Sequence, residues 1–366
     1  MKIQIQKNEF NSYLNIVEKA LPIRSTIPAI NNILLQSDNK KLTLTATNLE
    51  LAIKVTIPFE GEAGAILLPS KIVDIVRYLP ETDASLDLNW ETFRINIESG
   101  PSNFLLNGSD PADYPLIEEI SLPEGAFKIK TSTLKQVLRE VVFVASTEES
   151  RPAFNGVLFE FKENGITLTA SDTYRLVIRE ITGYSFSFEK QRYLIPAKSL
   201  RELMKVLDED AEYVSIFPDR EQLVFYFNNI HFMTRVLNEK YPDVRGVIPK
   251  QYQTRIKVER KPLEETISRA TLLAEGINQV IQLEIADQLI KVKVSSQLGS
   301  MEETLPTAQE GDPLAIYVNS RFILDILKVV EEKELFIDLH GKEGPIIFRI
   351  PDDENFLYLV LPIKMG

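Results

Sequence analysis

The sequence has 366 residues, no cysteine and a formal net charge of −12, because 53 Asp and Glu outnumber 41 Lys and Arg. The lack of cysteine excludes disulfides, thiolate catalysis, zinc fingers and iron–sulfur clusters, and 44 % hydrophobic residues argue against a purely disordered chain. No apolar stretch approaches the ~18 residues of a membrane span, and the N-terminus lacks the apolar core of a secretory signal. We therefore expect a cytoplasmic protein of two to three domains, at about 100–200 residues per domain.

Three kinds of segment recur along the chain, each three times. An alternating strand that leads into a helix begins at Lys2, Phe127 and Thr254. A pair of strands around a polar turn, such as KLTLTATNLELAIKV and GITLTASDTYRLVIRE, begins at Lys41, Gly165 and Leu289. A strand that runs into a second helix begins at Ile66, Tyr193 and Ile316. Alternation of apolar and polar residues predicts strands with one buried face.

The spacing of these segments predicts three homologous domains. Ile66 and Tyr193 are 127 residues apart, Tyr193 and Ile316 are 123 apart, and one third of the chain is 122 residues. We expect domains at 1–123, 124–251 and 252–366, in an α+β architecture in which each domain is a doubled strand–helix–three-strand unit. The alternative is three unrelated α+β domains of similar size, which the match between TLTATNLEL and TLTASDTYRL disfavours.

Charge is unevenly distributed over the expected helices. Four of them carry nine basic against four acidic residues in an acidic chain: 70–79, 132–143, 198–207 and 320–330. The other two, 9–20 and 262–273, each have a net charge of −1. A single lysine on a helix is usually a solvated side chain, but together these helices favour a surface that faces nucleic acid phosphates while the sheets stay acidic.

Signs of catalysis are weak. His231 lies in an alternating run that predicts a strand, and His340 lies beside a glycine in a turn-like segment. No Ser–His–Asp spacing and no glycine-rich phosphate loop is evident. The acidic run at 352–354 is typical of a solvated hairpin turn more often than of a cation site. We expect no catalytic residues, no metal and no cofactor.

The whole chain resembles the bacterial sliding clamp family, the beta subunit of DNA polymerase III. The segments that carry the resemblance are LTASDTYRL (168–176), YPDVRGVIP (241–249), YLVLPIK (358–364), FNG (154–156) and LPIRSTIPAINNILL around Arg24. The resemblance implies a ring-forming DNA clamp fold, in which a head-to-tail homodimer encircles duplex DNA. It also implies a non-catalytic processivity factor that tethers the replicative polymerase during DNA replication.

The resemblance further implies three groups of functional residues. The DNA contacts, independent of sequence, would come from Arg24, Arg77, Lys135, Arg139, Arg151, Lys198, Arg201 and Arg321. The ring contacts between subunits would involve Phe104, Leu272 and Leu273. A hydrophobic cleft for short linear peptides of the polymerase, the clamp loader and repair proteins would include Phe154, Thr173, Tyr174, Arg175, Leu176, Pro242, Val247, Val360, Leu361, Pro362, Ile363 and Met365.

Two points stay open at the level of sequence. Arg175 either contacts the peptide or holds the turn after Asp172 through a salt bridge. The rival functions are a three-domain carbohydrate- or nucleotide-processing enzyme and a repeat scaffold that binds proteins alone. The missing catalytic constellation favours the scaffold over the enzyme, and the basic helices favour the clamp over the scaffold.

Overall fold

A computed structural model describes residues 1–80, 83–118, 120–189, 191–208, 210–276 and 278–364. Within these residues the helices are α1 (Lys7–Val17), α2 (Ile72–Arg77), α3 (Thr131–Val142), α4 (Ala197–Val206), α5 (Arg260–Leu273) and α6 (Ser320–Val329). Short 3₁₀ turns occur at Glu18–Ala20, Ala29–Asn31, Pro111–Asp113, Pro152–Asn155 and Arg245–Val247. No helix in these ranges is long and apolar enough to cross a membrane.

The strands of the N-terminal third are β1 (Lys2–Gln6), β2 (Asn32–Ser37), β3 (Lys41–Thr47), β4 (Leu51–Pro58), β5 (Gly64–Pro69), β6 (Asp83–Asn89), β7 (Arg94–Ser99) and β8 (Ser102–Asn107). Those of the central third are β9 (Phe127–Lys130), β10 (Gly156–Lys162), β11 (Gly165–Ser171), β12 (Arg175–Thr182), β13 (Arg192–Pro196), β14 (Tyr213–Asp219), β15 (Gln222–Phe227) and β16 (Ile230–Arg235). The C-terminal third has β17 (Thr254–Glu259), β18 (Val280–Ala286), β19 (Leu289–Ser296), β20 (Gly299–Pro306), β21 (Ala308–Gly311), β22 (Leu314–Asn319), β23 (Glu334–Leu339), β24 (Ile346–Ile350) and β25 (Asp353–Val360).

The element order confirms the predicted repeat. Each third of the chain runs strand, helix, three strands, and then repeats that order, with the short strand β21 as an addition in the last third. The helix expected at 70–79 is shorter, because only Ile72–Arg77 is helical. Pro80 follows closely, and proline disfavours helical backbone at the residue before it.

Neighbouring repeats share sheets, and all strand pairs given for them are antiparallel. The chain forms two compact units: residues 1–132 with 186–188 and 202–236, and residues 133–185 with 189–201 and 237–366. The first unit contains an eight-stranded sheet of order β5-β2-β3-β4-β16-β15-β14-β9 and a four-stranded sheet β1-β6-β7-β8. The second contains a nine-stranded sheet β13-β10-β11-β12-β25-β24-β23-β17-β21 and a four-stranded sheet β20-β19-β18-β22.

The helices pack their apolar faces on these sheets. In α1 the buried residues Phe10, Leu14 and Val17 recur at intervals of three and four, the spacing of one helix face. In α5, Leu263, Ile267 and Ala270 are buried at the same spacing. The opposite face of α1 carries polar residues such as Asn8, Glu9 and Ser12, which are exposed to solvent.

Candidate functional site

The turn between β11 and β12 forms one edge of the expected peptide cleft. The Ser171 hydroxyl donates to the Arg175 carbonyl at 2.8 Å, and Asp172 Oδ1 accepts from the backbone nitrogens of Tyr174 and Arg175 at 3.0 and 2.9 Å. Thr173 has a φ of 80°, a left-handed backbone conformation that threonine rarely adopts. The tight turn leaves the Tyr174 side chain 58 % exposed, and therefore available to a ligand.

The linker after β16 covers the neighbouring apolar face of the nine-stranded sheet. Val244 and Ile248 pack on a cluster that includes Leu176 and Ile347. Further along, Phe154 meets the Tyr241 ring edge-on, with centroids 5.8 Å apart. The linker is thereby held in place by apolar contacts, while Pro242 on it is exposed and Val247 is 57 % exposed.

The chain end completes the cleft. The Leu361 nitrogen donates to the Tyr174 carbonyl at 2.9 Å, and the Ile363 nitrogen donates to the Tyr317 carbonyl at 2.8 Å. Lys364 then pairs with Glu343 at 2.7 Å. These bonds fix residues 361–364 beside the turn at 171–175, whereas Met365 lies outside the described residues.

Some of the apolar residues predicted for the cleft are buried and others are exposed. Leu176 is only 2 % exposed and Val360 is fully buried, whereas Leu361 is 41 % exposed. Leu176 and Val360 belong to paired strands, with Leu359 opposite Leu176 and Val360 opposite Arg175. Paired residues share a face and neighbours along a strand point to opposite faces, so Leu176 and Leu359 form the floor of the cleft. The expectation for Val360 is wrong, because Val360 lies on the other face of the sheet with Arg175. Tyr174, Pro242, Val247 and Leu361 form the accessible rim.

Arg175 is held inside the protein. Its Nε donates to Asp172 at 2.8 Å and its Nη1 to Asp325 at 2.6 Å, and its guanidinium carbon lies 4.5 Å from the Phe322 ring centroid. Burial disfavours the charged guanidinium, but the contacts with Tyr358, Asp325 and Asp172 raise the pKa of Arg175 above its ordinary value. The geometry matches the structural alternative for Arg175, and sequence reasoning missed its second partner because Asp325 lies 150 residues away.

The predicted DNA contacts differ in how far they are engaged within the chain. Arg24 is exposed and lines a surface pocket of about 650 Å³, and Lys198 is exposed on α4. Other side chains make polar contacts that a phosphate would have to replace or share: Arg77 with Asp74 and Asn15, Arg139 with Glu331, Arg151 with Thr173, Arg201 with the Val142 carbonyl, and Arg321 with Gln279. Lys135 on α3 is partly buried.

All four acidic residues on the basic helices form ion pairs. Asp74 and Glu202 pair with basic residues of their own helical segments, whereas Glu140 and Asp325 pair with arginines on β12. Glu140 on α3 is 1 % exposed and pairs with Arg179 at 3.1 Å, and burial raises its pKa above the ordinary value. Asp325 on α6 is bound to Arg175. Arg179 also bonds Asp353, so the acidic run at 352–354 takes part in an ion-pair network. The exposed surface of α3 is consequently more basic than its sequence suggests, whereas Asp325 on α6 stays 40 % exposed while it pairs with Arg175.

The predicted subunit contacts lie on accessible surface. Phe104 is 38 % exposed on β8, an edge strand of the first four-stranded sheet. Leu272 is 78 % exposed at the end of α5, and Leu273 beside it is partly buried. The strand β20, an edge of the other four-stranded sheet, is mostly exposed along its length.

No group of acidic residues or histidines within the described ranges could hold a metal ion. His231 lies on β16, as its alternating sequence predicts. His340 Nδ1 is 2.8 Å from the Pro345 carbonyl, which closes the turn after β23.

Comparison with known proteins decides among these possibilities. Three family profiles match consecutive parts of the chain: the N-terminal domain of the DNA polymerase III beta subunit at residues 1–118, the central domain at 128–243 and the C-terminal domain at 245–364. The beta sliding clamp of Staphylococcus aureus strain N315 is 33 % identical over 377 residues, covering 100 % of this chain and 99 % of the relative. The chain belongs to the beta sliding clamp family.

Solved clamp structures agree with this assignment over full length. The DNA polymerase sliding clamp of Bacillus subtilis has a TM-score of 0.93 at 32 % identity, and the beta subunit of Streptococcus pyogenes has 0.94 at 29 %, each covering 100 % of both chains. A clamp of Bartonella birtlesii, 26 % identical with a TM-score of 0.91 over 100 % of both chains, was solved bound to griselimycin. The resemblance read from the sequence is confirmed: this clamp is a non-catalytic processivity subunit, not an enzyme.

Proposed function

We propose that two copies of this clamp close into a ring through β8 of one copy and β20 of the other. The observation that carries the proposal is the way in which neighbouring repeats already join within the chain. β16, the last strand of the second repeat, pairs with β4 of the first, and β25, the last strand of the third repeat, pairs with β12 of the second. β8 is the last strand of the first repeat and β20 is the equivalent of β4 and β12, yet each is an unpaired edge in the described residues.

The repeat also predicts the register of the joint. Arg94 pairs with Asn107 in the β7–β8 hairpin, and Gln222 pairs with Arg235 in the equivalent β15–β16 hairpin. Phe104 and Phe232 each precede the second residue of these pairs by three positions, so they are equivalent. Thr47 pairs with Ala52 next to the turn of the β3–β4 hairpin, and Ser295 pairs with Ser300 next to the turn of the β19–β20 hairpin. Ser300 is therefore the equivalent of Ala52.

Within the chain, Met233 faces Ala52 and Phe232 faces Ile53. We therefore expect Leu105 opposite Ser300 and Phe104 opposite Met301. Phe232 is fully buried, which supports burial of Phe104 in the ring. Because a head-to-tail contact uses two different surfaces, it must either close or grow into a filament. Each copy has two sheet joints within its own chain and would share one joint at each end with its partner. The six repeats of a dimer would then all be joined, which supports closure.

The DNA contacts follow from the same ring. Exposed basic side chains on α2, α3, α4 and α6, with Arg24 on its loop, would contact phosphates without reading bases. The burial of Glu140 supports this, since it removes one carboxylate from the surface of α3, and the bond to Arg175 neutralises the carboxylate of Asp325 on α6. Few contacts are needed, because a closed ring retains DNA by topology.

The cleft at residues 171–176, 241–248 and 360–364 would bind short linear peptides of the polymerase and other partners. Its rim of Tyr174, Pro242, Val247 and Leu361 offers apolar surface around a preformed turn, which suits an extended peptide with one or two apolar anchors. The domain boundaries at 123 and 251 remain part of the proposal, and the linkers that carry Pro115 and Pro242 support them.

A disulfide tests the ring joint, because the chain has no cysteine of its own. Leu105→Cys combined with Ser300→Cys would bring two cysteines opposite each other across antiparallel strands, within the ~4.4–6.8 Å Cα separation that a disulfide accepts. Leu105→Cys with Met301→Cys is the matched control, because neighbouring strand residues point to opposite faces. We expect covalent dimers on oxidation of the first variant and few from the control. A ladder of longer multimers, or equal cross-linking of both variants, would contradict the closed ring.

A further inference from the structure

A basic pocket lies on the third repeat, directly after the linker that carries the cleft residues. We call it the Arg255 pocket; its volume is about 390 Å³ and it is lined by Pro249, Lys250, Gln251, Tyr252, Arg255, Asp338, His340 and Arg349. Pro249 follows the exposed cleft residue Val247 by two positions. The peptide cleft accounts for none of these side chains.

A buried carboxylate fixes two guanidinium groups in this pocket. Asp338 on β23 is 3 % exposed and faces Arg255 on β17. It accepts from Arg255 Nε at 2.6 Å and Nη2 at 2.9 Å, and from Arg349 Nε at 3.1 Å. The Arg255 guanidinium also lies 4.2 Å from the Tyr252 ring centroid and 5.0 Å from that of Phe336. Little side-chain entropy remains to be lost when a ligand binds.

Several donors in the pocket are left over. In the part of the chain that the structure describes, the hydrogen bonds of Arg349 use Nε alone, and the exposed Lys250 ammonium has none. Lys250, Arg255 and Arg349 face the carboxylates of Asp338 and of Glu310, which accepts from the Tyr252 hydroxyl at 3.2 Å. The formal balance is +1 in a chain of −12, so this is a local site for an anion.

The pocket adjoins the apolar cluster beneath the peptide cleft, because Asp338 on β23 pairs with Ile347 on β24. Ile347, in the apolar cluster under Val244 and Ile248, is two residues from Arg349 on β24, a distance of about 7 Å along a strand. An extended peptide advances ~3.3 Å per residue, so a ligand anchored in the cleft can reach the pocket with a few further residues.

We infer that the Arg255 pocket binds an Asp or Glu side chain that flanks the apolar anchor of a cleft-bound peptide. The inference rests on the proposed peptide function of the cleft and adds the chemistry of the partner's flanking sequence. A carboxylate matches the planar fork of a guanidinium, and Lys250 supplies a second, mobile cation. A free inorganic phosphate has related chemistry but lacks the apolar anchor that would bring it to this place.

The test uses the full-length protein and fluorescent peptides of ten residues with a polar anchor and a bulky apolar end. Three Asp or three Asn residues flank the anchor, on its N-terminal or its C-terminal side. Dissociation constants are measured by anisotropy for the unsubstituted protein, for Lys250→Gln with Arg349→Gln, and for the charge-matched control Lys2→Gln with Lys40→Gln, which alters two exposed lysines, on β1 and in the β2–β3 turn. Each titration is repeated with sodium phosphate at constant ionic strength.

We expect an acidic flank on one side to bind about fivefold to tenfold more tightly than its Asn counterpart, as one or two partly exposed charge contacts give. Lys250→Gln with Arg349→Gln should lose this advantage and keep its affinity for the Asn peptides, which also shows that the cleft is folded. Lys2→Gln with Lys40→Gln should change neither affinity. Equal affinity of the Asp and Asn peptides for the unsubstituted protein would overturn the inference and leave the cleft intact. Phosphate binding without any acidic preference would identify a free-anion site and overturn it too. If no peptide binds at all, the proposed cleft fails and the inference fails with it.

Discussion

Replacing Leu272 by alanine should open the ring. Leu272 is 78 % exposed in the single chain, so about three quarters of its surface is available for burial against a second copy. Leucine exceeds alanine by three carbons, and at ~0.8 kcal/mol per buried CH₂ the loss is about 2 kcal/mol per joint. A dimeric ring contains two such joints, so the total of ~4 kcal/mol raises the dimer dissociation constant by about a thousandfold.

Sedimentation velocity over a dilution series measures this change. The control is Leu116→Ala, because Leu116 is similarly exposed on the first linker but belongs to neither edge strand, and its dimer should be unchanged. A circular dichroism spectrum of the dissociated Leu272→Ala protein that matches that of the unsubstituted protein separates ring opening from unfolding. A dissociation constant within about threefold of that of the unsubstituted protein would refute the assignment of Leu272 to the joint.

Three further outcomes are expected. Deleting residues 362–366 should weaken peptide binding by tenfold or more, since anchors are worth ~2 kcal/mol each, while sedimentation still shows a dimer; wild-type peptide affinity would remove the tail from the cleft. Arg175→Ala should lower the free energy of unfolding in urea by about 3–5 kcal/mol, because it strands two carboxylates; a loss below ~1 kcal/mol, with peptide binding abolished, would instead favour a direct contact. Burial raises the pKa of Glu140 above 4.5, so its ionisation costs stability as pH rises through that window. Glu140→Gln should therefore gain stability relative to the unsubstituted protein as the pH rises above 4.5, and a pH-independent difference would contradict this.

Much of the fold could be predicted from the sequence because the repeated segments have similar local sequence patterns. The TLTA strands, the Tyr-Pro endings and the alternating runs specify elements whose hydrogen bonds and turns are short in range. The joints between repeats are different: β16 with β4, and β25 with β12, pair strands that are far apart in the chain. No local pattern encodes such a pairing.

The sequence places the residues of the proposed cleft near linkers and the chain end, but it does not tell which of them face the cleft. Leu176 and Val360 are both apolar, and only the pairing of β12 with β25 decides that Leu176 lies under Val244 and Ile248 and that Val360 lies on the other face of the sheet. Likewise, Asp172 is within reach of Arg175 by sequence, whereas Asp325 reaches it only through the fold. Long-range packing and ion pairs therefore set the limits of the sequence interpretation.

A closed ring would retain DNA by topology, because the protein cannot leave a circle without opening. The clamp is loaded onto nicked circular DNA, part of the DNA is then linearised by a single cut, and the amount of bound protein is measured by gel filtration at increasing salt. Phosphate contacts weaken with salt equally on both forms, but free ends let a closed ring slide off. We predict that the clamp stays on circular DNA at salt concentrations at which it has left the linear form. Equal loss from circular and linear DNA at every salt concentration would contradict topological binding.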